Sequence, residues 1–195
     1  MGRFSCLLIC LILLLTCISA GFAEMQDRLL SLQGDFTQET HLKILARPLV
    51  SHGTLTFQAP QSLRWEYRDP VHSIMLMHNG KMEKMTERDG RFEKDNGPGS
   101  GSMQFILPVI GDWLDGRFAD TPAFKANCID ERTIVLTPRE PGLQAVIRSI
   151  ELHLGQQHGV MDSVTIFEGP DAFTRLTFTN IVLNREIPES TFSWQ

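Results

Sequence analysis

Apolar and polar residues alternate with a period of two along most of the chain, and most cleanly between Gly53 and Pro70. Leu55 and Phe57 oppose Thr54 and Thr56. After a break at Ala59-Pro60-Gln61, Leu63, Trp65 and Tyr67 oppose Arg64, Glu66 and Arg68. A two-residue period puts successive side chains on opposite faces of a sheet, so this stretch predicts two strands sharing one aromatic face and one wet face. Prolines 60 and 70 cannot donate to a ladder and mark strand ends. The triplet Arg64, Glu66, Arg68 reads as a solvated ion-pair row on the wet face.

The same pattern predicts further strands over 35–45, 71–78, 81–88, 118–130, 132–137, 145–154, 160–168 and 173–183, beside 49–58 and 62–68. Residues 71–78 are apolar on both faces, as in a strand covered on both sides. Asn79-Gly80 is a strong hairpin signal, and Asp89-Gly90 marks a second turn. Two segments carry a helical rather than a strand pattern. Residues 24–33 suit a short helix stopped by Gly34. Residues 103–115, after the glycine-rich stretch 95–102, suit a helix that is apolar over most of its circumference and weakened by Pro108 and Gly111. Strands that follow one another without intervening helices predict an antiparallel sheet or partial barrel, mainly β with some α, of ten or eleven strands.

Composition adds a compartment. Arg3 followed by the apolar run 4–20 and the small residues Ser19, Ala20, Gly21 and Ala23 predicts a signal peptide over 1–23, cleaved after Ala20 or Ala23, and a single domain over 24–195. A membrane anchor and lipoprotein processing at Cys17 are the competing readings. The run is short for a span, and Leu14-Leu15-Thr16 lacks the small residue wanted before a lipidated cysteine. Three of the four cysteines lie in this segment, so Cys128 is left without an intramolecular partner. The net charge is −5 and the leader contributes only Arg3, so the remainder carries −5 − 1 = −6. Lysine and arginine do not cluster, which disfavours nucleic-acid binding.

Catalytic and metal motifs are missing. The six histidines have no partners at zinc-ligand spacing, Gly97-Pro-Gly-Ser-Gly lacks the lysine of a phosphate loop, and there is no Gly-x-Ser-x-Gly elbow. No cofactor and no enzymatic activity are expected. What remains is an excess of large or adaptable apolar groups, among them Trp65, Tyr67, Met75, Met77, Met82, Met85, Phe105, Trp113 and Phe178. Any one of them reads most simply as core. Together they suit an adjustable apolar chamber, for which methionine is well adapted.

The order of short motifs resembles the LolA family of periplasmic outer-membrane lipoprotein carriers. A leader and a short helix are followed by Phe36-Thr37-Gln38, then Gly53-x-Leu55-x-Phe57-x-x-Pro60, Trp65, the Asn79-Gly80-Lys81 hairpin, the apolar helix and Phe192-Ser193-Trp194. The resemblance implies an incomplete, curved antiparallel β-barrel with a helical lid, LolA/LolB-like, whose interior takes up acyl chains. It implies a chamber lined by Leu55, Phe57, Leu63, Trp65, Tyr67, Met75, Met77 and Phe178, and a lid containing Phe105, Ile106, Val109, Ile110 and Trp113. It further implies a monomer working between an inner-membrane ABC-type releasing complex and an outer-membrane acceptor. A lipid or lipoprotein sensor, or an accessory protein of lipid or glycolipid export, is the alternative within the same resemblance. Two departures from the family pattern stand out. Ala59 occupies the place before Pro60 where a basic residue latches the lid, and the chain ends at Gln195, without the family's C-terminal extension.

Overall fold

The computed structural model describes residues 29–95, 110, 113, 121–157 and 160–194. Within them, eleven strands form one antiparallel sheet: β1 (Ser31–His41), β2 (Leu49–Gln58), β3 (Ser62–Asp69), β4 (Ser73–His78), β5 (Lys81–Arg88), β6 (Arg91–Lys94), β7 (Phe124–Cys128), β8 (Thr133–Pro138), β9 (Ser149–Leu154), β10 (Met161–Phe167) and β11 (Phe173–Leu183). The order across the sheet is β6-β5-β4-β3-β2-β1-β11-β10-β9-β8-β7, so β1 is central, β6 and β7 are the edges, and the curved sheet does not close. Strands β2, β5 and β11 have the bounds expected from the sequence. Helix is scarce among the described residues: a single turn, α1 (Pro141–Gln144), a 3-10 turn (Glu189–Phe192), and helical backbone at Ile110 and Trp113.

The turns follow local chemistry. Asn79 and Gly80 both have positive φ (50° and 71°), as do Asp89 and Gly90 (52° and 74°). Two consecutive left-handed residues match the strand twist in a two-residue hairpin, and Asn-Gly and Asp-Gly adopt them at least cost.

The expected helix over 24–33 requires a correction. Ser31, Leu32 and Gln33 begin the central strand, all three pairing with β2 and the last two also with β11, and Gly34 does not stop a helix but sits within that strand. Opposite Gly34, β11 carries one extra residue, a bulge containing Asn180 at φ 54°. A Cβ on Gly34 would run into the Ile181 side chain that the bulge brings forward. Two flanking ladders outweigh the helical spacing of the leucines, an instance of tertiary context overriding a weak local preference.

One face of the sheet, here the inner face, holds the main core. Leu32, Phe36, Leu55, Phe57, Leu63 and Trp65 from one half join Leu136, Ile150, Leu152, Val164, Ile166 and Leu176 from the other, all buried. Burial of each such side chain contributes about 1.5–3 kcal/mol. The outer face has a second, smaller cluster. The segment after β11 folds back so that Ile187 and Phe192 cover Leu76, with Trp194 packed beside them. Phe192 stacks on His78 at 5.7 Å, the Trp194 indole donates to Glu83 Oε2 at 2.6 Å, and the Arg64 guanidinium donates to the Thr191 carbonyl at 3.3 Å. This tail is why β4 can be apolar on both faces.

Candidate functional site

The register carries the inner face from strand to strand. Leu55 pairs with Trp65, Trp65 with Met75, and Met75 with Lys84. One row away, Phe57, Leu63, Met77 and Met82 succeed one another. Gly53 occupies the same face of β2, and its missing side chain leaves room for the Phe36 ring. That ring reaches Trp65 at 4.4 Å and meets Tyr67 edge-on at 5.1 Å. Phe178, paired with Phe36, meets Trp65 edge-on at 6.3 Å. The result is an aromatic cluster of four rings at the centre of the inner face, each pair in the tilted or edge-on geometry that ring quadrupoles favour.

The structure brings the expected chamber residues together on this face. Leu55, Phe57, Leu63, Trp65 and Phe178 are buried in the core, and Met75 and Met77 pack half-buried against it. The indole N–H of Trp65 is fully buried, and among the described residues no group accepts from it within hydrogen-bond geometry. Of the expected lid residues, Ile110 and Trp113 are buried in the same core, with Trp113 edge-on to Phe124 at 6.5 Å. Phe105, Ile106 and Val109 lie outside the described residues.

Beyond the aromatic cluster, toward the β1–β2 and β3–β4 connections, the inner face opens into a cavity of about 550 Å³. Of the expected lining residues only Tyr67 borders it, and the alternation alone did not single out the rest of its wall. Leu42, Leu49, Pro70 and Val71 supply its apolar lip. Its floor is polar. The Tyr67 hydroxyl donates to Gln38 Oε1 at 2.7 Å, Gln38 Nε2 donates to Thr40 Oγ1 at 3.3 Å, and Thr40 lies 3.5 Å from the Thr174 hydroxyl. Burial pushes the Tyr67 phenol up to about 12, so it stays protonated and donating at any physiological pH. On the far wall Lys84 and Asp95 form an ion pair at 2.7 Å, with about a fifth of each side chain exposed, and Thr86 donates to the same Asp95 oxygen at 3.2 Å. The signal for this floor was available in β1, where Gln38 and Thr40 continue the inner face of Phe36 but are polar.

The outer face corrects the expected solvated row. Glu66 is only 15% exposed at its side chain. It accepts from Arg64 Nε at 3.0 Å, stands 3.1 Å from His72 Nε2, and lies 3.8 Å from Arg68. Burial works to raise its pKa, but the hydrogen bonds from Arg64 and His72 and the charges of Arg64 and Arg68 outweigh it, and the carboxyl is held below its usual value. Among the described residues, no group of His, Cys, Asp and Glu has metal-binding geometry, and Cys128 is free and exposed.

Residues 27–90, about a third of the chain, match the family model described as "Outer membrane lipoprotein carrier protein LolA". Over this stretch the chain is LolA-like. The matched stretch contains the Phe36–Gly53 contact, Trp65, Tyr67 and most of the cavity wall. No curated protein matches the sequence. Similar solved structures include a DUF1329 family protein from Desulfovibrio piger (7% identity, 87% of this chain and 92% of that one, TM-score 0.45). A putative outer membrane lipoprotein-sorting protein domain from Vibrio parahaemolyticus is also similar (9% identity, 83% and 88%, TM-score 0.41). So is a chain of the Pseudomonas aeruginosa MucA/MucB complex (14% identity, 85% and 56%, TM-score 0.41), of which this chain spans little more than half.

Proposed function

We propose that this protein is a periplasmic carrier that takes up the acyl chains of lipoproteins, or of related lipids, on the inner face of its sheet and moves them from the inner to the outer membrane. The observation that carries this reading is the inner face itself: a four-ring aromatic cluster and half-buried methionines, continuous with a cavity of about 550 Å³ at one end of an unclosed sheet. The family match over residues 27–90 supports it. Each methylene of an acyl chain gains about 0.8 kcal/mol when buried, so lipid anchors do not cross water without such a surface. In this conformation the side chains pack on one another. Cargo would enter as Met75 and Met77 repack and side-chain contacts are exchanged for acyl contacts. In this reading residues 1–23 direct export, an inner-membrane ABC-type complex loads the carrier, an outer-membrane acceptor unloads it, and no residue has a catalytic task.

The test is lipid extraction and mass spectrometry of protein purified from its native envelope, with Met77→Glu and Leu49→Asp as variants. Met77 lies on the inner face without being fully buried, and Leu49 stands at the cavity lip 56% exposed, so neither change is aimed at the sealed core. Acyl lipid should co-purify with the wild type and be depleted in both variants, with thermal melting confirming that they fold. A native protein that carries no lipid, and takes none up from vesicles, would refute the proposal.

A further inference from the structure

We infer that the cavity is the seat of an uncharged, hydroxyl-bearing headgroup, and that it discriminates against anionic ones. The inference rests on the carrier reading above and adds to it the class of the cargo's polar end. The aromatic cluster suits alkyl chains, but the adjoining cavity does not. Its floor is the relay Tyr67–Gln38–Thr40–Thr174, and among the described residues the hydroxyls of Ser51 and Ser73, which also border it, have no hydrogen-bond partner. An alkyl chain laid on this floor would strip water from those groups and return nothing. A headgroup with several hydroxyls would replace the lost water, since every group on the floor can accept or donate.

Charge separates the candidate headgroups. Among the described residues that line the cavity, Lys84 is the only cation, and Asp95 holds it at 2.7 Å, while Glu168 adds a second carboxylate, so these described residues sum to +1 − 2 = −1. A phosphate entering here would meet an ammonium already paired with Asp95 and a second carboxylate in Glu168, and like charges at short range in a partly desolvated site repel strongly. An uncharged sugar or glycerol pays no such penalty. The tail then follows from the geometry, because Tyr67 belongs to both the cavity wall and the aromatic cluster. An amphiphile would place its polar end at Tyr67 and its chains toward Trp65 and Phe178.

The experiment uses the full mature chain and two lipids with the same dioleoyl chains, galactosyl-diacylglycerol and phosphatidylglycerol. The acyl chains are brominated so that binding is read as quenching of tryptophan fluorescence. The galactosyl lipid should bind tighter by roughly tenfold or more, the factor that one unmatched buried polar group costs. Asp95→Asn, which frees the Lys84 charge, should shrink or invert that ratio. Equal affinities, or a preference for phosphatidylglycerol in the wild type, overturn the headgroup inference and leave the carrier reading standing. Binding of neither lipid overturns both.

Discussion

The ring of Phe36 lies across the backbone of Gly53. A Cβ built at position 53 would stand 2.6 Å from Phe36 Cζ and would also strike the Glu66 carbonyl of the neighbouring strand. This contact lets a residue of the central strand reach over β2 to touch Trp65 and Tyr67 on β3, and so joins three strands through side chains as well as ladders. Gly53→Ala should therefore destabilise the fold by about 1–3 kcal/mol, the range of overpacked core sites. The urea midpoint checks this. Trimming the ring in a Phe36→Ala background should recover only part of the loss, because the Glu66 clash remains.

Tyr67 is the chain's single tyrosine, so phenolate absorbance reports it alone. Its pKa is raised by burial to about 12 from an ordinary value of 10. The folded protein thus holds this proton more tightly than the unfolded chain does. The associated stability is fully present below pH 10 and is lost as pH rises toward 12. Ultraviolet titration should show a late, single transition. Tyr67→Phe should remove its share of the stability loss in that window.

Glu66 works in the opposite direction. Its carboxyl is held below the usual value, so its contribution is complete above the unfolded pKa and disappears as pH falls through the lower, folded one. Glu66→Gln should be less stable than wild type at neutral pH, and its stability should fall less steeply on acidification. Chemical denaturation at a series of acid pH values measures both.

Phe192 separates folding from cargo. It is buried on the outer face between Ile187, Leu76 and the His78 ring, away from the aromatic cluster. Phe192→Ala should cost about 3–5 kcal/mol, as truncation of a buried aromatic does. Under conditions where the variant remains folded, its lipid uptake should match the wild type, as measured by the same fluorescence quenching.

Much of this architecture was legible because strands advertise their faces. The alternation is clear at 54–57 and 63–68, and Asn-Gly and Asp-Gly admit few backbones other than the hairpins observed. The central strand was misread at its start. Leu29, Leu30 and Leu32 have spacings that fit a helix as well as a strand, and a glycine that faces a bulge looks locally like one that ends a helix. The tail over the outer face was not foreseen, since Ile187, Phe192 and Trp194 have no period and their partners lie more than a hundred residues away. For the candidate site, alternation tells which face a residue takes but not whether its row is filled. Leu55, Phe57 and Trp65 pair into the packed part of the face, whereas Gln38, Thr40 and Lys84, on the same face, border open space.

Among the described residues the eleven strands are joined by ten ladders, and no ladder joins β6 to β7. A closed barrel has its girth set by strand number and stagger, and widening it means breaking hydrogen bonds. An open arc is free of that rule. A small change of twist shared among ten joints alters the gap between its edges while every backbone bond stays in place. Girth in this molecule is therefore an elastic quantity, set by how the inner-face side chains pack against whatever lies between them.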